Sequence, residues 1–187
     1  ITTIDVTQNI ALNHLKARYN QLTNLDISNN ISLTYLECDY NQITNLNVSN
    51  NINLTSLSCA ANQLSILDVS QNIALIELDC FDNYLTNLDV STNTNLTAFK
   101  PRGNQLTSLD LSNNIVLTEI DCGDNQLSVL DLSNNIILEG LECYNNQLMN
   151  LHGSRLPQNR GGGGFSWQIL QNKNKGYSCL HKINEKL

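Results

Sequence analysis

Five cysteines recur at one interval, and they are the residues of this chain best suited to chemistry. They stand 21 residues apart with one interval left out, at Cys38, Cys59, Cys80, Cys122 and Cys143. Thiols can form disulfides, bind soft metals or act as nucleophiles, but a zinc site needs CxxC pairs or histidine partners that this series lacks. On strands about 4.8 Å apart, side chains in one register point in parallel, which disfavours disulfides. We therefore predict a column of free, buried thiols that pack as small hydrophobes.

Carboxylates are the second group with chemical potential. Glu119, Asp121 and Asp124 fall in one short stretch, and an equivalent set stands two intervals earlier. Such oxygens suit Ca²⁺, but these residues splay along one strand and lack the spacing of a calcium loop. Lys100 lies in frame between Asp79 and Asp121, and opposite charges on adjacent strands usually pair across the sheet. We predict charge pairing here, with no metal and no cofactor.

Catalytic constellations are absent from the sequence. His14, His152 and His181 have no Ser or Cys nucleophile at a recognisable spacing. The glycine run at 161–164 is not followed by the Lys-Ser/Thr that a phosphate-binding loop requires. We predict that the chain is not an enzyme.

A 21-residue repeat must position all of these side chains. Leu117–Ile137 reads LTEIDCGDNQLSVLDLSNNII, and its frame LxxIxCxxNxLxxLDLxxNxx recurs along the chain. Alternation of apolar and polar residues across Leu36-Glu37-Cys38 indicates a short strand, and no segment has a helical apolar period. The first, fourth, sixth, eleventh, fourteenth and sixteenth positions are predicted to face inward. Complete repeats begin at Leu12, Leu33, Leu54, Leu75, Leu96 and Leu117, and a partial one begins at Leu138.

This frame resembles the nested leucine-rich repeat of bacterial proteins called IRREKO, in which both halves of a 21-residue unit carry an LxxLxLxxN pattern. The resemblance covers residues 1 to about 151. It implies a right-handed solenoid of mainly β structure, with a parallel sheet on the concave side and little or no helix in the repeats. It carries no catalytic residues, and leucine-rich repeats in general bind other macromolecules on the concave sheet.

Composition limits the partners and the location. The net charge of −7 and the pI of about 4.7 argue against a nucleic-acid ligand, which requires clustered Lys and Arg. No run of about 20 apolar residues could span a bilayer. The chain opens at Ile1, within a repeat and without a visible signal peptide. We expect a monomer that is secreted or held at the cell surface, with the cytoplasm as the alternative.

Variation between repeats points to the functional surface. The convex half of the unit scarcely changes, whereas the outward third, fifth, seventh and eighth positions change in almost every repeat. Five of the ten Phe, Trp and Tyr residues fall there, and exposed aromatics are common binding anchors. The hypothesis is a module that recognises a protein or glycan; neutral drift on a solvated sheet, or a structural or adhesive spacer of a larger bacterial surface protein, are the alternatives. The predicted ligand-binding residues are Tyr19, Tyr35, Glu37, Tyr40, Asp79, Phe81, Lys100, Arg102, Asp121 and Tyr144.

Two local departures from the repeat carry their own predictions. Pro101 replaces the inward cysteine in the fifth complete unit, and proline in a central strand indicates a bulge or a break. After residue 151 the pattern ends, and six basic residues accompany a single acid, Glu185. We therefore divide the chain into a solenoid at 1–151 and a Gly-rich linker with a basic, poorly ordered tail at 152–187.

Overall fold

The computed structural model describes residues 1–148, 150–153, 165–172 and 177–184. One strand from each coil joins a seven-stranded parallel sheet in sequence order, and two smaller two-stranded sheets accompany it. The described residues contain no helix, and so none that could cross a membrane. The large sheet consists of β1 (His14–Lys16), β2 (Tyr35–Glu37), β3 (Ser56–Ser58), β4 (Glu77–Asp79), β5 (Ala98–Lys100), β6 (Glu119–Asp121) and β8 (Gly140–Glu142).

The smaller sheets lie in the later part of the chain. β7 (Val129–Leu132) pairs in parallel with β9 (Asn150–Gly153) in the second half of the repeat unit. β10 (Phe165–Asn172) and β11 (Tyr177–Asn184) form an antiparallel pair. Residues 154–164, which hold the predicted Gly-rich linker, lie outside the described residues. The division at residue 151 stays a prediction.

Strand pairing follows the repeat length, because each residue lies opposite the residue 21 positions later. His14 pairs with Tyr35, and Tyr35 pairs with Ser56. The middle residue of each strand, such as Leu36 or Leu57, is buried, while its two neighbours point to the other side of the sheet. The predicted mainly β leucine-rich-repeat solenoid is thus confirmed.

The inward positions form one continuous core. Each coil contributes leucine, isoleucine or valine at the predicted positions, as in Leu33, Ile43 and Val48, which are fully buried. The five repeat cysteines are buried thiols, as predicted, and they pack within the core. Burial raises the pKa of the Cys38 thiol to about 12, which favours its neutral form.

The ninth position of each coil carries an asparagine that ties that coil to the preceding one. Asn83 is typical: its Nδ2 donates to the carbonyls of Cys59, Cys80 and Phe81 at 3.1, 3.2 and 3.2 Å. Its Oδ1 accepts from the amide of Leu64 at 3.0 Å. The side chain therefore supplies partners for four backbone groups at this buried corner. We call this set the first asparagine ladder: Asn20, Asn41, Asn62, Asn83, Asn104, Asn125 and Asn146.

The nineteenth position carries a second asparagine ladder with a different bonding pattern. Asn72 donates through Nδ2 to the carbonyls of Val48 and Asn51, both at 2.9 Å. Its Oδ1 is buried, and no described group donates to it. The second asparagine ladder comprises Asn30, Asn51, Asn72, Asn93, Asn114 and Asn135.

Backbone conformation at the eighth position is left-handed in every coil. Gly103 has φ 67°, and Ala61 has φ 49°. An L-residue pays a steric cost in this region, which packing of the coil must offset. The same conformation turns the chain from the strand into the first asparagine ladder. The other members are Tyr19, Tyr40, Asp82, Asp124 and Asn145.

Pro101 interrupts the ladder of the large sheet without inserting a residue. In the preceding coil the amide of Cys80 donates to the carbonyl of Lys100 at 3.2 Å, and Pro101 has no amide to make the next such bond. Beyond it, Gly103 bonds Gly123 at 3.1 Å with the usual spacing. Of the two predicted outcomes, a bulge or a break, the structure shows the break, because one ladder bond is missing and no residue is inserted.

Candidate binding face

The sheet places the third, fifth, seventh and eighth positions of successive coils side by side, and we call this surface the concave face. All ten predicted ligand-binding residues lie on it, because all occupy those positions. The structure divides them among two clusters of aromatic and cationic side chains and a groove between the clusters. Charged residues lie at the centre of each cluster.

The N-terminal cluster is built around two carboxylates. Glu37 is only 7% exposed and Asp39 only 3%, so both require charged or hydrogen-bonded partners. Arg18 supplies them, with its guanidinium 2.7 Å from Glu37 and 3.3 Å from Asp39. Lys16 lies 3.3 Å from Glu37, and Asp39 also accepts from the Ser58 hydroxyl at 2.5 Å. This network fixes the two basic side chains above the first two strands.

Two aromatic pairs cover the same cluster. The rings of His14 and Tyr35 stack with centroids 4.2 Å apart, and those of Tyr19 and Tyr40 stack at 4.6 Å. The Arg18 guanidinium lies 5.1 Å from the centre of the Tyr19 ring. Tyr19 remains 67% exposed and Tyr40 remains 44% exposed, so both rings are accessible from solvent. These rings offer a rigid platform that a partner can cover.

The C-terminal cluster is centred on Arg102. Its guanidinium lies 5.2 Å from the centre of the Phe81 ring and 5.0 Å from that of Tyr144. Nε is 3.0 Å from Asp124 and NH1 is 4.0 Å from Asp121. Two aromatic contacts and two carboxylates thus restrict one flexible side chain.

Gly123 creates the space that lets Tyr144 reach Arg102. A Cβ atom at Gly123 would stand 2.9 to 3.1 Å from three carbons of the Tyr144 ring, closer than the ring allows. Arg102 and Tyr144 belong to coils two apart, with Gly123 in the coil between them. The glycine therefore serves a close side-chain approach, since the cluster could not form over a larger residue.

A groove of about 250 Å³ lies between the clusters. Asp79 faces Lys100 across β4 and β5, yet among the described residues Lys100 forms no ion pair. Burial raises the pKa of Asp79, and a hydrogen bond from the Phe81 amide partly offsets this. The predicted Asp79–Lys100–Asp121 pairing is therefore not formed, because Arg102 reaches Asp121 instead. The polar groups of the groove come from Tyr35, Glu37, Ser56, Ser58, Glu77, Asp79, Lys100 and Glu119.

Sequence reasoning missed several residues of the two clusters. Lys16, Arg18 and Asp39 were not predicted as site residues, although Arg18 anchors the N-terminal cluster. The sequence did carry a signal for these ion pairs. Lys16 stands 21 residues before Glu37, and Arg18 stands 21 residues before Asp39, so each basic residue faces an acidic one in the next coil. Within the described residues, no group of His, Cys, Asp or Glu side chains has the arrangement of a metal site. The face is equipped for contact with another molecule by stacking, ion pairing and hydrogen bonding.

Solved structures with the same architecture support this assignment of the fold. No protein-family profile matches the chain, and no curated protein sequence is significantly similar to it. The functional domain of InlJ from Listeria monocytogenes, which includes a cysteine ladder, is 45% identical over 80% of this chain and 33% of that one, with a TM-score of 0.79. A leucine-rich-repeat protein from Leptospira interrogans is 28% identical over 80% of this chain and 42% of that one, with a TM-score of 0.74.

A more distant neighbour shares the fold alone. The plant peptide hormone receptor RGFR1, solved in complex with RGF2, is 24% identical over 78% of this chain and 26% of that one, with a TM-score of 0.65. The chain spans well under half of the length of each of these proteins. Over about four fifths of its length the chain has the leucine-rich-repeat fold of these bacterial proteins, as the 21-residue frame indicated.

Proposed function

We propose that this chain is a non-enzymatic recognition module that binds a protein through its concave face. One observation carries the proposal: two preorganised clusters of aromatic and cationic side chains flank a groove on the same face. Arg, Tyr and other aromatics dominate the energetics of protein interfaces. Here the side chains are already held by ion pairs and stacking, so little conformational entropy is lost when a partner binds.

The dimensions of the face suit a macromolecular partner. The N-terminal cluster lies over β1 and β2, and the C-terminal cluster begins at Phe81, two residues after the end of β4. Adjacent strands are about 4.8 Å apart, so the face from β1 to β8 extends over roughly 29 Å. A protein segment can contact both clusters and the groove at once. A glycan would engage the stacked Tyr19 and Tyr40 rings, which makes it the second class of ligand to test.

A recognition role also supports a location outside the cell or on its surface, where a module without a catalytic site meets foreign macromolecules. We infer a secreted or cell-surface protein on this ground. Protease treatment of intact source cells checks the location: loss of the chain supports it, and complete protection argues for the cytoplasm.

The function is tested with matched variants that remove an aromatic side chain on or off the concave face. Tyr35→Ala combined with Phe81→Ala removes one ring from each end of the groove. Tyr84→Ala is the control, because Tyr84 is 55% exposed and stands at the tenth position, outside the concave face. A partner captured by the unaltered chain is purified, and its affinity for each variant is measured by calorimetry.

We expect the double variant to bind at least about a hundredfold more weakly, since two anchors of about 1.5 kcal/mol each are lost. The control is expected to bind like the unaltered chain. Equal binding by all three chains would show that the partner uses another surface. If the chain binds no protein, it would instead be a structural spacer, whose role depends only on the length that its coils span.

A further inference from the structure

A column of exposed isoleucines runs along the solenoid away from the concave face. It occupies the twentieth position of the unit, and the structure exposes its members by 66, 57, 54, 59, 55 and 70%. Single exposed hydrophobic residues are ordinary on protein surfaces, but an aligned set forms a patch. We call this set the isoleucine stripe: Ile10, Ile31, Ile52, Ile73, Ile115 and Ile136.

Neighbouring coils are tied together beside the stripe, so its members keep a regular spacing on either side of the one coil that lacks isoleucine. The side-chain amide of Asn53 donates to the carbonyl of Ile31 at 3.1 Å, and that of Asn95 donates to the carbonyl of Ile73 at the same distance. The isoleucine side chains take no part in these bonds. Thr94 stands at the same position in one coil, so the stack does not require isoleucine there.

The sequence on both sides of each stripe position is uncharged in five successive coils. From the seventeenth position of one unit to the second position of the next, the sequence contains no Asp, Glu, Lys or Arg until Glu139. The core of a protein interface is depleted of charged residues in the same way. The five segments are SNNISLT at 28–34, SNNINLT at 49–55, SQNIALI at 70–76, STNTNLT at 91–97 and SNNIVLT at 112–118.

We propose that the isoleucine stripe is a docking surface for a second copy of this chain. The six side chains present on the order of 600 Å² of apolar surface, the upper end of what a monomer usually exposes in one patch. A stable interface buries about 800 Å² per partner. Val116 and Ile137, exposed by 36 and 48% beside the stripe, supply part of the difference.

Charge restricts where two copies of this chain can meet. Two copies that each carry a net charge of −7 repel one another. The concave face is rich in carboxylates, and the convex side carries the Asp column at Asp26, Asp68, Asp89, Asp110 and Asp131. The isoleucine stripe is the surface on which two copies meet without opposing these like charges.

The repeat length makes the stripe complementary to itself. Two copies have the same spacing between coils, so isoleucines of one can fit between isoleucines of the other along the whole stripe. A contact of one patch with the same patch closes as a two-fold dimer and does not continue into a fibre. No concave-face position belongs to the stripe, so the dimer presents two binding faces to a multivalent target. The proposal replaces the expected monomer.

Sedimentation equilibrium of the full chain at about 1 to 200 µM tests the proposal. The unaltered chain, of 20.8 kDa, is expected to double its mass within this range. The variant carrying Ile52→Thr, Ile73→Thr and Ile115→Thr is expected to dimerise at least about tenfold more weakly. Ile66→Thr is the matched control, because Ile66 is 76% exposed but stands at the thirteenth position.

A gain-of-contact variant keeps the test decisive if the triple variant is poorly folded. Thr94→Ile completes the stripe and is expected to tighten the dimer about threefold or more. A chain that stays monomeric at every concentration would overturn the proposal. So would a triple variant that folds, by circular dichroism, and dimerises as tightly as the Ile66→Thr control.

Discussion

The two asparagine ladders predict different losses of stability for the same substitution. Asn83→Ala removes four hydrogen bonds: three donated by Nδ2 and one accepted by Oδ1. Asn72→Ala removes two, both donated by Nδ2. The two side chains are 4% and 0% exposed, so loss of packing is similar at both sites. Hydrogen bonding alone therefore distinguishes the two variants.

The decisive group is the amide of Leu64. Asn83 Oδ1 is its acceptor in the fold, and Leu64 is fully buried, so Asn83→Ala leaves a buried donor unpaired at a cost of about 1 to 3 kcal/mol. Asn72→Ala leaves no buried donor without an acceptor. The carbonyls of Val48 and Asn51 still accept hydrogen bonds from the amides of Asn51 and Leu54. We expect losses of about 4 kcal/mol for Asn83→Ala and about 2 kcal/mol for Asn72→Ala.

Urea unfolding followed by circular dichroism measures both free energies, with the unaltered chain and Asn134→Ala as references. Asn134 is an exposed asparagine in the same kind of coil whose side chain donates a single bond. Its replacement should cost less than about 1 kcal/mol. Equal losses for Asn83→Ala and Asn72→Ala, or a larger loss for Asn72→Ala, would refute the argument from the Leu64 amide.

Three further outcomes follow from the structure. Burial raises the pKa of the Cys59 thiol, so alkylation at pH 8 followed by mass spectrometry should leave it unmodified until the chain unfolds; rapid labelling of the native chain contradicts this. Burial raises the pKa of Tyr144 to about 12. Gly123→Ala should displace the Tyr144 ring and lower its pKa toward 10.0, as measured by an NMR titration. An unchanged pKa would argue against the close approach of the ring to Gly123. Hydrogen bonds from Ser91 lower the pKa of Asp89, so its contribution to stability is present above the unfolded pKa and is lost as the pH falls through the folded one. Asp89→Asn should therefore lose less of its urea resistance between pH 7 and pH 3 than the unaltered chain does, and an equal loss would show that the Ser91 bonds do not shift the titration.

The fold could be predicted because the repeat places equivalent residues in equivalent environments. Leu36 and Cys38 alternate with exposed residues in one short strand, and the 21-residue frame fixes which coil each strand joins. Apolar periodicity of this kind determines burial directly. The family and the parallel sheet followed, and both are confirmed by the structural neighbours.

Backbone geometry at the eighth position could not be predicted from residue type. Tyr19, Tyr40 and Ala61 are poor residues for a left-handed conformation, yet each adopts it. Gly103, Asn145, Asp82 and Asp124 carry the usual sequence signal. Stacking of the coils imposes the left-handed conformation on all seven positions. The neighbouring coils therefore determine the backbone conformation, and the residue type at the eighth position does not.

The composition of the concave face was predictable, but its internal pairing was not. The variable positions identified Phe81, Arg102 and Tyr144 as surface residues. Their grouping depends on the space above Gly123, which admits a ring from the next coil. Arg102 likewise takes the carboxylate that the sequence assigned to Lys100, because its longer side chain reaches Asp121. A long charged side chain can reach several residues of opposite charge, and the register of the strands alone does not determine which ion pair forms.

Site-specific photo-cross-linking shows whether a protein partner contacts the concave face. A benzoylphenylalanine replaces Phe81 on the concave face in one chain and Tyr84 outside it in another, and each is irradiated with the purified partner. We expect a covalent adduct from position 81 and none from position 84. An adduct from position 84 alone would rule out recognition through the concave face, because the partner would then contact another surface.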